Sequence, residues 1–213
     1  MSGLGSAPPS PPERPRTGRS LELVVASAAL AAIATHDLGH LRDGRWYDVF
    51  WVCNVAAVAA PLGLVARSAH LSAAALTWIV PGTAVWLIDA LVAGSSIIPS
   101  SYLAHFGGLA TALFAVWRTG PARYGWLAAL ALLCSCLLAS WLFLPSAANV
   151  NAVHAVPRGW TALGSGRGGF VLTASALALA VCALGHAMAR WLGALGARRR
   201  GVDRVASGAV DPL

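Results

Sequence analysis

Six long apolar runs, separated by short breaks, set the pattern of the chain. They fall at approximately Leu21–Thr35, Val49–Val65, Leu71–Ala93, Tyr102–Trp117, Tyr124–Leu144 and Phe170–Leu192. Each break carries Arg, Pro, Gly or Ser, the residues that punctuate regular structure. Run lengths of about 15 to 25 residues lie close to the roughly 20 that an α-helix needs to cross about 30 Å of hydrocarbon. The pattern predicts an all-α polytopic membrane bundle of six transmembrane helices over residues 20–194. Ahead of it, residues 1–19 alternate Pro8, Pro9, Pro11, Pro12 and Pro15 with Ser and Arg and read as a disordered tail. Residues 195–213 read as a second, arginine-rich tail.

Composition supports a lipid environment. Charged residues make up 11% of the 213-residue chain and hydrophobic residues 57%, against about 25% charged in ordinary soluble domains, and the mean hydropathy is +0.67. The length allows one compact bundle and no separate soluble domain. A net charge of +7 raises the question of nucleic acid, but a nucleic-acid reader needs a basic face on an ordered element. Here the basic residues sit at segment ends, where they act as topology signals. All fifteen are Arg, which together with the Ala, Gly and Pro content points to a GC-rich bacterial genome. Cys53, Cys134, Cys136 and Cys182 all lie within apolar runs, as small buried hydrophobes do, and imply no disulfide framework.

Orientation follows from the arginines, because positive loops are retained in the cytoplasm. With six spans, one side holds Arg14, Arg16, Arg19, Arg67, Arg118, Arg123, Arg190, Arg198, Arg199, Arg200 and Arg204, and the other only Arg42, Arg45, Arg158 and Arg167. Both termini are therefore expected in the cytoplasm of a cell whose inner membrane holds the bundle. A competing reading takes the first run, short and preceded by arginines, as a cleaved signal peptide. His36 to His40 can instead extend the same helix. Trp46, Trp51, Trp117, Trp126 and Trp191 lie near run ends as interface anchors. Pro61 and Pro81 fall within spans two and three, where kinks are expected. No internal repeat of the transporter kind is visible.

The residues that offer chemistry gather at the outer level. His36 and His40, at i and i+4, share a helix face, as two imidazole ligands of a metal must. They lack the Glu of a zinc-protease helix, and interfacial hydrogen bonding, to Asp37 or to headgroups, is the plainer alternative. Asp43, Asp48, Asn54, Asp89, His105, Asn149, Asn151 and His154 map to the same level. From these, His36, His40, Asp89, His105 and His154 form a candidate set for a divalent transition metal. Asp89 stands out because an ionisable residue inside a span costs about 3 kcal/mol to insert. The outer loop Pro145–Gly169 carries Asn149-Val150-Asn151 and His154, a lid or simple turn chemistry, and its glycine run lacks the ending of a phosphate loop. Cys134 and Cys136, two apart, point in different directions on a helix. His186 reads as a packing residue.

On the cytoplasmic side, Arg14, Arg16, Arg19, Arg198, Arg199 and Arg200 serve either as stop signals with affinity for anionic lipid or as a docking patch for a cytosolic partner. Six spans, almost no soluble part, the stretch Ser10-Pro11-Pro12-Glu13-Arg14-Pro15-Arg16 and the arginine run after the last span together resemble the CarR-type membrane-bound anti-sigma factors of myxobacterial carotenogenesis. The resemblance lies in the architecture of the whole chain. It implies a negative regulator of transcription that is not an enzyme and binds no nucleic acid itself. Such a protein sequesters a cytosolic sigma factor at the inner membrane in the dark and releases it on illumination, switching on carotenoid genes. The tails and inner loops would hold the partner, and oxidisable Trp, His and Cys side chains would offer a trigger. The alternative is an intramembrane metal-dependent enzyme acting on a lipid or isoprenoid at the outer interface, with the five-residue set as ligands and acid–base groups.

Overall fold

A computed structural model describes residues 16–92, 99–156 and 166–206. These residues are all-helical. The elements are α1 (Arg16–Arg42), a 3₁₀ turn (Trp46–Phe50), α2 (Val52–Val65), α3 (Ala69–Val92), α4 (Ser100–Tyr102), a π turn (Leu103–Gly107), α5 (Gly108–Thr119), α6 (Gly125–Phe143), two 3₁₀ turns (Ser146–Ala148 and Val150–Ala152) and α7 (Gly166–Ala206). Since α4, the π turn and α5 follow one another without a break, the described residues form six helical rods. Four helices contain a segment long and apolar enough to cross a membrane: Arg19–Arg42, Ala69–Ile88, Gly125–Phe143 and Gly166–Val202. Helix α2 is 14 residues long, about 21 Å at 1.5 Å per residue.

Several boundaries differ from those expected. Helix α1 starts in what read as the disordered tail and runs past the end of the first apolar run to Arg42, carrying His36 and His40 on the continuing helix that their spacing suggested. Helix α2 begins three residues late, because Trp46–Phe50 winds as a 3₁₀ turn. Helix α7 does not stop at Leu192 but runs through Arg198–Arg200 to Ala206, since Ala, Leu and Arg all favour helix. Pro61 and Pro81 are accommodated within continuous helices. The expected tail over residues 1–15 lies outside the described residues.

The bundle is small inside and large outside. Ala56, Ala57, Ala59 and Ala60 of α2 and Ala73, Ala74 and Ala75 of α3 are all buried in one cluster. Leu91, Phe143, Leu172 and Leu184, by contrast, are each more than 70% exposed. Small residues that let backbones approach, with bulky apolar side chains turned outward, are the packing solution for helices in lipid; in water such a surface would aggregate. Helix α3 is central, packing against α2, α5, α6 and α7, and Trp78 donates its indole N–H to the Ala129 carbonyl of α6 at 2.7 Å. A Cβ on Gly82 would overlap the Cβ of Cys53, so the α2–α3 approach requires glycine there. Gly82→Leu is expected to lower stability by about 1–3 kcal/mol through overpacking. Gly107→Ala, whose added methyl meets nothing within 4 Å, should leave the melting temperature in detergent unchanged.

The rods alternate between two ends. At one end the start of α1, the α2–α3 turn and the end of α5 meet through Glu22, Arg67 and Arg118, and Arg200 of α7 donates to the Trp117 carbonyl. At the other, the end of α1 meets the 3₁₀ turn and α4, and the loop after α6 ties onto the start of α2.

Candidate functional site

Helical spacing puts His36 and His40 on one face of α1, and packing buries both, at 2% and 7% exposure. Their Nε2 atoms lie 3.1 Å apart, with the rings edge-to-face at 79° and centroids 4.5 Å apart. The opposite nitrogen of each ring has its own neighbour. His36 Nδ1 lies 3.4 Å from Ser100 Oγ at the start of α4. His40 Nδ1 lies 3.5 Å from Asp48 Oδ2, an electrostatic contact rather than an aligned hydrogen bond, since the nitrogen finds no bonding partner by direction.

Asp48 is held from several sides. Arg45 Nε donates to its Oδ2 at 2.6 Å and the Trp51 indole N–H donates to Oδ1 at 3.3 Å. Asn54 Nδ2 donates to the Asp48 carbonyl at 2.9 Å, which fixes the 3₁₀ turn over the first turn of α2. The carboxylate is thus placed by its own turn before it meets the histidine.

Those contacts select one protonation pattern. A carboxylate only accepts, so Asp48 favours the proton of His40 on Nδ1 and leaves His40 Nε2 bare. At 3.1 Å a bare nitrogen requires a donor opposite, which places the proton of His36 on its Nε2 and leaves His36 Nδ1 bare, facing the Ser100 hydroxyl. The reverse arrangement would set a bare His40 Nδ1 against the Asp48 carboxylate. One ordered row results, Ser100 to His36 to His40, with the Asp48 charge holding its far end.

The remaining candidates take other places. His105 lies in the π turn, buried at 4% exposure, stacked on Trp86 with centroids 4.5 Å apart, its Nδ1 without a partner. The π turn packs against α1, so His105 borders the pair, but its ring plane is committed to the indole. His154 follows the Asn149 turn, its backbone N–H donating to Asn149 Oδ1 at 3.0 Å. No hydrogen bond, ion pair or ring contact joins it to the other histidines among the described residues. The Asp89 side chain lies outside the described residues. Of the four candidates whose side chains are described, His36 and His40 pair, His105 borders them and His154 stands apart; among the described residues no group of three or more His, Cys, Asp or Glu is arranged to hold a metal ion.

Asn151 turns out to be a clamp. Its Oδ1 accepts the Val52 N–H at 3.0 Å, while Nδ2 donates to the Phe50 carbonyl at 3.0 Å and to Ser140 Oγ at 2.9 Å. Its left-handed backbone, φ 55°, is one that Asn tolerates. Asn151→Ala is expected to cost about 1–3 kcal/mol by leaving buried partners unmade, and to speed proteolysis of the 145–156 loop in limited digests.

The opposite end holds an ionic hub that sequence reading missed. Glu22, 4% exposed, accepts Arg118 Nη2 at 2.7 Å and Nε at 3.0 Å, together with Arg67 Nη2 at 3.1 Å and Nε at 3.3 Å. Arg19 approaches at 3.8 Å and donates to the Val65 carbonyl at 3.1 Å. A single acid at the start of an apolar run was the available signal. Of the six arginines expected to face a partner, Arg19 and Arg200 are engaged within the bundle and Arg198 and Arg199 are exposed. Arg14 lies outside the described residues, and of Arg16 only the backbone is described.

Fold and site together define a helical protein with membrane-length apolar helices, a polar relay at one end and an ionic hub at the other. In comparison with known proteins, no family model, curated protein or solved structure matches the chain.

Proposed function

We propose that the chain is a six-span inner-membrane protein with both termini cytoplasmic, working as an enzyme on a lipid or isoprenoid substrate at the outer interface, with His36 and His40 at its centre. The observation that carries this reading is the buried imidazole pair, 3.1 Å apart and flanked by Asp48 and Ser100. Burying three polar side chains, His36, His40 and Asp48, at the end of an apolar bundle is costly unless they meet one another, and the ordered row that results is suited to moving a proton. The arginine-rich hub at the other end supports the orientation, by the rule that positive residues stay inside.

Proton transfer is the chemistry that the contacts favour. A divalent transition metal is the alternative: His36 and His40 would hold it through Nε2 and Asp48 would orient the His40 ring, the ion would supply Lewis-acid chemistry, and further ligands would be required. Both versions are tested by reconstituting the purified protein with lipid extract from its own membranes and following products by mass spectrometry. Turnover that falls by about 10²-fold or more in a folded His36→Ala variant is expected. Sensitivity to a chelator would select the metal version, and absence of any lipid product in the wild type would reject the enzyme.

One observation favours a second reading, sequestration of a cytosolic sigma factor. Helix α7, 41 residues long, measures about 60 Å, twice the hydrocarbon thickness, and carries exposed Arg198 and Arg199 near its arginine-rich end. Affinity purification of the tagged protein from dark-grown and illuminated cells tests this. A sigma factor recovered only in the dark, and lost on Arg198→Ala with Arg199→Ala, would establish the regulator. Equal recovery with the double variant would remove its support.

A further inference from the structure

We propose that Ser100 is the nucleophile of the outer site and that the substrate is a lipid carboxylic ester, so that the protein performs acyl transfer through a covalent acyl-Ser100. This deepens the proposed lipid-acting enzyme and rests on it. Three observations converge. First, Ser100 Oγ stands at the open end of the relay, 3.4 Å from the His36 Nδ1 that the Asp48 carboxylate, acting through His40, leaves bare. A nucleophile beside a base that is itself oriented by further groups is the general signature of covalent catalysis, and such contacts are commonly loose before substrate binds. Second, Ser100 is half-buried, whereas His36 and His40 are buried, so it is the most exposed of the three. Third, the residues that follow it in the chain, Tyr102, Leu103 and Phe106, are 47%, 56% and 46% exposed, an apolar and aromatic surface on the same segment suited to acyl chains.

The step balances without any further reagent. Ser100 Oγ attacks the ester carbonyl carbon and its proton passes to His36 Nδ1. The proton on His36 Nε2 passes to His40 Nε2, and the resulting His40 imidazolium faces the Asp48 carboxylate. Collapse breaks the bond from the acyl carbon to the ester oxygen, and the departing alkoxide takes a proton back from the row through His36. Water or a second alcohol then attacks the acyl-serine, gives its proton to His36, and leaves with the acyl group as Ser100 Oγ is restored. Two histidines in series let the compensating carboxylate sit at the polar 3₁₀ turn while the nucleophile lies further along the bundle.

Full-length protein in lipid nanodiscs, treated with a long-chain fluorophosphonate and mapped by peptide mass spectrometry, tests the assignment. A covalent adduct on Ser100 is expected, formed at least about 100-fold more slowly in His36→Gln, unaffected by chelator, absent in Ser100→Ala and retained in Ser101→Ala. Thermal melts establish that each variant is folded. No adduct on Ser100 in the folded wild type, or an equal rate in His36→Gln, would overturn the proposal. Lipid turnover that survives Ser100→Ala but not His36→Ala would also overturn it while leaving the enzyme reading intact; a wild type that neither labels nor turns over lipid would sink both.

Discussion

Replacing Glu22 with Ala is expected to destabilise the bundle by about 2–3 kcal/mol, since it removes a buried charged acceptor from three arginines that stay partly exposed. Among the described residues Glu22 accepts the paired donors of Arg67 and contributes two oxygens to a set that also receives Arg118 and Arg19. Without it, guanidinium groups from the α2–α3 turn and from the end of α5 would face one another at the start of α1. The interaction is not worth that much as a net gain, because desolvation offsets most of the attraction; the loss is large because charge is left behind. Glu22→Gln, which keeps an acceptor oxygen, should fall between Ala and wild type. Arg118→Leu combined with Glu22→Ala should recover part of the loss. Unfolding in mild detergent followed by circular dichroism would measure all three, and a Glu22→Ala loss under about 1 kcal/mol would place the hub among exposed ion pairs of little consequence.

Asp48→Asn is expected to have the largest effect on function while changing shape least. Arg45 donates to the same Oδ2 that faces His40 Nδ1, so a carboxamide keeps its oxygen on that side and turns its N–H₂ toward the Trp51 indole. What is lost is the negative charge that holds the His40 proton on Nδ1 and that would balance a His40 imidazolium. The row then has nothing to stabilise the proton it takes up. Turnover should drop by about 10²–10⁴-fold, with stability reduced by only about 1–3 kcal/mol through weakened bonds from Arg45 and Trp51. A variant that loses stability but keeps its rate would show that Asp48 is a brace for the 3₁₀ turn and nothing more.

Much of the architecture was legible because lipid imposes length and composition together. The six runs correspond to the six rods, and the arginine asymmetry matches the end at which Glu22 collects its partners. What the runs could not show is where polar residues continue a helix. His36 and His40 followed the end of the first run, and α1 carries them into the bundle, where α4 and the 3₁₀ turn supply a neighbour for each. The π turn around His105 leaves no compositional trace; it is set by packing on Trp86 and α1. The His36–His40 face was readable from i, i+4 spacing. Asp48 stood only in a general polar inventory, and Ser100 in none, since its partner lies 64 residues away and serine at a helix start is ordinary. Asn151 was weighed as lid or turn, and its three bonds to α2, the preceding turn and α6 make it a tether. Glu22 was overlooked as an isolated acid, when isolation in an apolar run was itself the sign of a buried partner.

An ordered proton row through the two imidazoles would be visible in nitrogen-15 NMR of the histidine-labelled protein in lipid. One protonated Nε2, on His36, and one bare Nε2, on His40, joined by a scalar coupling through their shared hydrogen, are expected. Two protonated Nε2 atoms, or two nitrogens with no coupling between them, would contradict it.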